Sequence, residues 1–209
     1  MLAGMSDTAV HSGRSLAPRE HGAYGQFALP LVTALALGRP GMVSGLLVVG
    51  AVAAFMAHEP LLVLLGHRGA RLREEAGPRA RRVGALALVL ALGCGLGALA
   101  LASPSVRLAA VVPVGLAALL GPLVLRREEK TAVGELLAAA ALSSASLPVA
   151  VAGGVPPVVA AIAWATWVAA FWASTASVRY LIAPGSQPRV FWRTAFFISC
   201  SVCSRFPTF

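Results

Sequence analysis

Charged residues are scarce in this chain of 209 residues. They make up 12% of it, whereas apolar residues make up 58%, and the mean hydropathy is +0.80. A soluble domain typically carries about 25% charged residues. A soluble protein of this composition would leave too much apolar surface in water, so the sequence predicts a protein embedded in a membrane.

Acidic residues are scarcer still: there are eight, and Asp7 is the one aspartate. Hard cations such as Mg²⁺ need several carboxylate oxygens, and the chain has no aspartate-rich motif to supply them. It also lacks a glycine-rich phosphate loop, and one C-x-x-C, Cys200 to Cys203, is a weak signal on its own. We therefore expect no metal and no cofactor. We expect no nucleic-acid partner either, because the chain has no soluble domain to carry a basic face.

Apolar runs close to 20 residues long fill most of the chain, and this length crosses a hydrocarbon core of about 30 Å. Transmembrane β-strands would need about 10 residues with strict alternation. The predicted fold class is therefore all-α, a polytopic bundle of six to seven transmembrane helices. We place the transmembrane domain at residues 18–189, with spans at about 22–38, 42–65, 83–102, 106–125, 131–151 and 157–182. In the third span, Gly93 and Gly97 have the spacing of a close helix contact.

Both ends of the chain differ from these spans. Residues 1–17 are small and polar, without the apolar core of about 7–15 residues that a signal peptide needs, and we expect a disordered cytoplasmic tail. Residues 190–209 hold a 14-residue apolar piece that contains Arg193, and six of the chain's 14 aromatic residues. We interpret them as a truncated or atypical seventh helix and a tail.

The basic residues indicate the orientation, because Lys and Arg accumulate in the cytoplasmic segments of membrane proteins. Fourteen of them lie in the N-terminal tail, in residues 66–82, in the fourth-to-fifth connection, or at and after the end of the sixth span. Two, Arg39 and Arg107, lie in the alternate connections. The prediction is a cytoplasmic N-terminus. The predicted loop 66–82, with six arginines, would contact the lipid bilayer through anionic headgroups.

Six ionisable side chains are predicted at similar depth, on the cytoplasmic side of the bundle. They come from four spans: Glu20 and His21 at the first, His58 and Glu59 in the second, Glu135 in the fifth and Arg179 in the sixth. A charge at the centre of a membrane helix costs roughly 2.5–3.5 kcal/mol, so such residues face the bundle interior and pair. We predict that the six line a polar cavity that opens to the cytoplasm. Each group also has a local alternative: His58 and Glu59 snorkel to the membrane interface, Glu135 is an acid favoured at a helix start, and Arg179 anchors the topology.

The turn GRPG, residues 38–41, is the whole connection between the first two spans. A connection this short predicts an antiparallel helix hairpin. His21 and His58 each lie about 17 residues from it and hence at equal height. We predict that the two imidazoles approach one another.

Four stretches resemble the YwiC-like integral membrane proteins: PREHGAYGQFALPL from Pro18, HEPLLVLL in the second span, RREEKTAVGELL before the fifth and SVRYLIA ending the sixth. That family opens with a Pro-Lys/Arg-Glu/Gln-His-Gly-Ala-aromatic motif, and Tyr24 stands where it usually has tryptophan. The resemblance covers residues 18–183 and implies a multi-spanning protein of bacterial type, which we place in the inner membrane. It implies no reaction. The UbiA-type prenyltransferases also have a cytoplasm-facing polar pocket, but their two Asp-rich motifs are missing here.

Three functions stay open at this point. A cavity with protonatable His and Glu side chains favours a transporter- or permease-like protein. A non-catalytic accessory or assembly protein would use the same residues to lock the bundle together. A lipid-substrate transferase within the membrane is the third alternative, and the sequence favours a protein that is not an enzyme.

Overall fold

The computed structural model describes residues 21–126 and 131–182, and within these ranges every regular element is a helix. The helices are α1 (His21–Leu37), α2 (Met42–Leu64), α3 (Ala70–Leu101), α4 (Pro104–Leu125), α5 (Ala132–Ser144), α6 (Ser146–Ala152) and α7 (Pro157–Ile182). α5 and α6 together make one apolar stretch of 21 residues, Ala132–Ala152. By length and composition, five stretches can cross a membrane, and α1 is a shorter apolar helix. The prediction of an all-α, polytopic bundle is confirmed. The predicted tail 1–17 and seventh helix 190–209 lie outside the described residues.

The helix limits lie within two residues of the predicted spans, with one exception. The exception is the start of α3, which is at Ala70 rather than at residue 83. Residues 66–82, predicted as an arginine-rich loop, are therefore mostly helical. That prediction is wrong.

One side of this extra helical segment is apolar, which explains why it forms. Leu72 and Ala80 are buried against Val63 near the end of α2, and Ala76 packs on the same cluster. Arginine, glutamate and alanine, which are good helix formers, fill most of the other positions. Pro78 is exposed on the opposite side, where water can bond to the carbonyl that has lost its amide partner. Residues 70–82 of α3 are called the basic arm below.

α2 and α3 form an antiparallel hairpin in which the two backbones come close. An ideal Cβ on Gly50 would lie 3.3 Å from the carbonyl oxygen of Ala91 and 3.4 Å from the amide nitrogen of Gly95. Small residues at a membrane helix interface permit this approach and the van der Waals packing that follows from it. Among the described residues, the predicted contact at Gly93 and Gly97 is not found, because a Cβ at either position would meet none of their atoms within 4 Å.

The remaining helices surround α6. This short helix is buried from Ser146 to Val151 and packs against α1, α2, α4 and α7. α1 meets α2 through aromatic rings: Phe27 stacks on Phe55 with centroids 4.8 Å apart, and Tyr24 meets Phe55 edge-on at 5.2 Å. α1 and α2 therefore touch through large side chains, whereas their backbones do not pack closely along their length. The close pairing of these two helices that the short turn predicts is not found.

Two turns touch at one end of the bundle. The backbone amide of Arg39, between α1 and α2, donates to the carbonyl of Gly153, after α6, at 2.8 Å. A Cβ on Gly38 would lie 3.1 Å from both the Cα and the carbonyl oxygen of Gly153, so this approach requires glycine. We call this end the glycine end. α1 and α5 begin, and α7 finishes, at the opposite end, which we call the Arg179 end.

Large apolar side chains cover the outer faces of α3, α4 and α7. On α4, Leu108, Val111 and Val114 are 73%, 62% and 66% exposed. Within the most apolar window of α4 only 6% of the residues are buried in the bundle, and in α3 only 11%. Contiguous apolar surface of this extent is unfavourable in water and suits the hydrocarbon of a bilayer. The chain is a multi-pass membrane protein.

Candidate functional site

A buried carboxylate lies near the end of α2. The side chain of Glu59 is 2% exposed, and Arg68 binds it through two hydrogen bonds. Nε donates to Oε1 at 2.9 Å, and Nη2 donates to Oε2 at 2.7 Å. This bidentate geometry is a strong form of carboxylate–guanidinium contact. It compensates a charge that would be costly to bury alone.

The turn after α2 folds Arg68 back onto this carboxylate. Gly66 and Gly69 have positive φ angles of 75° and 97°, which glycine adopts readily, and the amide of His67 donates to the carbonyl of Leu62 at 3.0 Å. From the sequence alone, Arg68 counts among the arginines that set the orientation, so its role at Glu59 is not predicted. The available signal is an arginine between two glycines, nine residues after an acid in an apolar span.

A second ion pair joins α5 to α7. Nε of Arg179 donates to Oε2 of Glu135 at 2.8 Å, and the two side chains are 45% and 35% exposed. The hydroxyl of Thr131 caps α5 by accepting from the amide of Gly134 at 3.0 Å. Glu135 thus lies in the first helical turn, where the helix dipole favours an acid. The pair ties the start of α5 to the end of α7 at the Arg179 end.

The residues predicted to share one cavity are thus found in different pairs. Glu135 and Arg179 are brought together, whereas Glu59 pairs with Arg68 inside the α2–α3 hairpin. The side chain of His58, next to Glu59, is exposed.

Two predicted site residues belong to the start of α1. Glu20 lies outside the described residues, and so does the side chain of His21, although α1 begins at His21. The approach of His21 to His58 therefore stays a prediction.

One span of the bundle is interrupted, and another carries a proline near its middle. In α1, Pro30 has no amide to bond to the carbonyl of Gln26. α5 and α6 are separated at Ala145, which keeps near-helical dihedral angles (φ −57°, ψ −24°), and Pro148 follows within α6. Interrupted helices near the bilayer midplane are typical of the binding sites of secondary transporters. The break at Ala145 is not predicted from the sequence, in which residues 131–151 form one continuous span.

A small cleft lies where α1 and the interrupted α5/α6 span meet α7. Its lining includes Pro30, Thr33 and Ala34 from α1, Ser146 and Ala150 from α6, and Trp167 from α7. It holds about 10 Å³, roughly the space of one water molecule. The indole Nε1 of Trp167 donates to the hydroxyl of Thr33 at 3.1 Å, which joins α7 to α1.

The cleft lies in the half of the bundle nearest the glycine end. At 1.5 Å per residue, Thr33 is about 6 Å and Ser146 about 9 Å from the ends of α1 and α6. Glu135, 11 positions before Ser146, is about 16 Å further along the same span. The cleft and the Glu135–Arg179 pair therefore lie towards opposite ends of the interface between α1, α5/α6 and α7.

The hydroxyl groups around the helix break bond to backbone carbonyls of their own span, and the bond of Ser146 crosses the break. Ser143, Ser144 and Ser146 each donate to a carbonyl three or four residues earlier, at 2.6–2.7 Å. Thr33 donates to the carbonyl four residues before it at 2.9 Å. The indole of Trp164 donates to a carbonyl of α5 at 3.3 Å. Of the bonds around the cleft, those of the two indoles cross between helices: Trp164 joins α7 to α5, and Trp167 joins α7 to α1.

Within the described ranges, no group of three or more His, Cys, Asp or Glu side chains is arranged to hold a metal ion. The polar side chains of the described residues can bind a solute by exchanging their hydrogen bonds and ion pairs. Three carboxylate–guanidinium pairs lie towards the Arg179 end, and hydroxyl and indole groups lie at the cleft.

These features define a polytopic helical membrane protein with an interrupted helix at its centre. Residues 17–150 match the family described as YwiC-like protein, and the chain belongs to this family. The matched region runs from before α1 into α6, and includes Glu59 and Glu135 but not Trp167 or Arg179. Comparisons with curated proteins and with solved structures give no match.

Proposed function

We propose that this protein is permease-like, and that a small polar solute crosses the membrane between α1, α5/α6 and α7. The observation that carries the proposal is the meeting of the interrupted α5/α6 span with the proline-containing α1 at one cleft. Interrupted helices free backbone carbonyls inside the membrane, and solutes or ions bind to such groups. A cleft that holds about one water corresponds to a closed conformation of this path.

The two ends of the proposed path close in different ways. At the glycine end, the backbones of Gly38 and Gly153 are in direct contact. At the Arg179 end, a half-exposed ion pair joins Glu135 to Arg179. Exposed ion pairs contribute little to stability, so the Arg179 end opens at the smaller cost.

Glu20 and His21 belong to the same proposed mouth, because α1 and α5 begin at the same end of the bundle. His58 and Glu59 lie at that end too, on α2. We assign Glu59 to the stability of the hairpin, because Arg68 already neutralises it.

The Arg179 end is proposed to face the cytoplasm of a bacterium, in its inner membrane. The basic arm and Arg126 lie at this end, whereas Arg39 and Arg107 lie at the glycine end. The excess of basic residues marks the cytoplasmic side of a membrane protein.

Thiol labelling in proteoliposomes tests the path. In a background in which the three native cysteines are replaced by serine, Thr33→Cys and Ser146→Cys are treated with a membrane-impermeant methanethiosulfonate, which reacts with the thiolate and so needs water at the site. Val114→Cys is the control, because residue 114 is 66% exposed but faces lipid near the middle of α4. The proposal expects both cleft variants to react faster than the control. Equal rates in folded variants contradict it.

A non-catalytic accessory protein is the second candidate, and the bonded hydroxyls around the cleft favour it. In a bundle whose helices do not move against one another, these hydroxyl and indole groups keep the same hydrogen-bond partners. The same labelling experiment separates the two functions, because an accessory bundle predicts cleft cysteines as unreactive as the lipid-facing control.

A further inference from the structure

The basic arm extends α3 beyond the membrane. α3 has 32 residues, which is about 48 Å at 1.5 Å per residue. Its uncharged part, from Val83 to Leu101, accounts for about 28 Å and matches a hydrocarbon core of about 30 Å. The arm therefore begins at the hydrocarbon boundary and continues through the headgroup layer, which is about 5–7 Å thick on each side.

The arm is held in a fixed direction. Leu72 and Ala80 are buried against Val63 of α2, and a Cβ on Gly84 would lie 3.2 Å from the Cβ of Pro60. Side chains on the outer side of the arm are thus displayed from an ordered helix rather than from a flexible connection.

Charge is distributed unevenly along the arm. The half furthest from Val83, residues 70–76, carries Arg71, Arg73, Glu74 and Glu75. Their charges sum to zero, and Arg71 bonds to Glu75 at 2.7 Å. The half next to Val83, residues 77–82, carries Arg79, Arg81 and Arg82, which are all exposed, and no acidic residue. Within the described residues, no ion pair involves these three arginines. The whole excess of positive charge therefore lies within four residues of Val83, about 6 Å along the helix.

We propose that Arg79, Arg81 and Arg82 bind the phosphate groups of anionic phospholipids that surround the arm. The guanidinium fork matches phosphate oxygens in a bidentate manner. The arginines lie at the depth of lipid phosphates, which favours a lipid over a phosphate compound free in solution. Bound lipid fixes the height of α3 and of the Arg68 turn relative to the bilayer.

The test is lipid binding by the full-length purified protein in a neutral detergent. Phosphatidylglycerol is titrated against it, with phosphatidylcholine as the uncharged comparison, and bound lipid is counted by native mass spectrometry. The variant is Arg81→Gln/Arg82→Gln. Arg39→Gln/Arg107→Gln is the matched control, because it removes the same charge from exposed positions at the glycine end.

The proposal predicts that Arg81→Gln/Arg82→Gln weakens phosphatidylglycerol binding at least tenfold, since each basic residue near an anionic surface contributes roughly a fivefold factor. The control should change it less than threefold, and phosphatidylcholine binding should be unaffected. Unchanged binding in the first variant, or equal losses in both, overturns the proposal.

Soluble phosphate compounds separate the possible sources of the phosphate group. Inorganic phosphate and glycerol 3-phosphate at millimolar concentration should leave lipid binding intact, and full competition by either would show a site for a soluble phosphate instead.

If the glutamine variant does not fold, Arg81→Lys/Arg82→Lys keeps the charge but loses the guanidinium fork. It is then expected to bind phosphatidylglycerol several-fold more weakly at an unchanged melting temperature, and full binding would overturn the proposal.

Discussion

Arg68 binds both carboxylate oxygens of Glu59 at the point where the chain leaves α2 and turns back into α3. Glu59 is withdrawn from solvent, and Arg68, 27% exposed, reaches it from the turn. The pair joins the last part of α2 to the start of α3, so it sets the direction of the basic arm.

Replacing Glu59 by glutamine should lower the melting temperature of the detergent-purified protein. Glutamine preserves the shape but leaves Arg68 without its counter-charge, and removal of one partner from a buried pair costs about 3–5 kcal/mol. Because Arg68 is partly exposed, we expect the lower part of that range. Thermal unfolding followed by circular dichroism measures the change.

Glu75→Gln is the control, because it removes an acid from an exposed pair on the basic arm. Its melting temperature should equal that of the parent protein. Equal melting temperatures for Glu59→Gln and Glu75→Gln would show that the buried pair does not hold the hairpin.

Gly38→Ala should destabilise the glycine end. The new Cβ would lie 3.1 Å from the backbone of Gly153, and crowding of this kind typically costs about 1–3 kcal/mol. Gly45→Ala is the matched control in α2, where a Cβ meets nothing within 4 Å and alanine is the better helix former. Denaturation of both variants under the same conditions decides the point, and a Gly38→Ala protein as stable as Gly45→Ala rules out the contact.

Gly50→Val should separate α2 from α3, because the side chain would meet the Ala91 carbonyl and the Gly95 amide. Gly93→Val, on an open face of α3, should have little effect on packing. The yield of folded protein in size-exclusion chromatography compares them. A larger loss of folded protein for Gly93→Val than for Gly50→Val would show that α3 does not contact α2 through the face described here.

The orientation can be tested with two exposed positions at opposite ends of the bundle, Glu74 in the basic arm and Ser105 after α3. In intact bacterial cells, Ser105→Cys should react with an impermeant thiol reagent, and Glu74→Cys should react only after the cells are opened. The reverse pattern would invert the proposed topology.

Hydropathy predicts the spans of this protein well, because the bilayer imposes both their length and their apolar composition. It fails at the start of α3, where the charges around Gly77 and Pro78 suggest a loop. The segment is helical because the apolar side of the arm is buried against α2. Hydropathy does not predict the break at Ala145 either. The signal in the sequence is Pro148, which has no amide to bond to the carbonyl of Ser144 at the end of α5.

Pairing of charges is predicted in part. Glu135 and Arg179 fall at the same depth on neighbouring spans, and the structure pairs them. Glu59 falls at that depth too, but its partner comes from the following turn. Depth fixes one coordinate only, and the partner depends on how the backbone at Gly66 and Gly69 turns, which only the folded structure shows.

The most direct test of the proposed path is the rate at which Ser146→Cys is labelled from the Arg179 end, with and without Arg179→Gln. Removing the guanidinium breaks the bond to Glu135 that closes this end. The account predicts severalfold faster labelling from that side, no change from the glycine end, and restoration of the slow rate by the exchanged pair Glu135→Arg/Arg179→Glu. An unchanged rate from the Arg179 end, in a folded protein, would contradict a path along this interface.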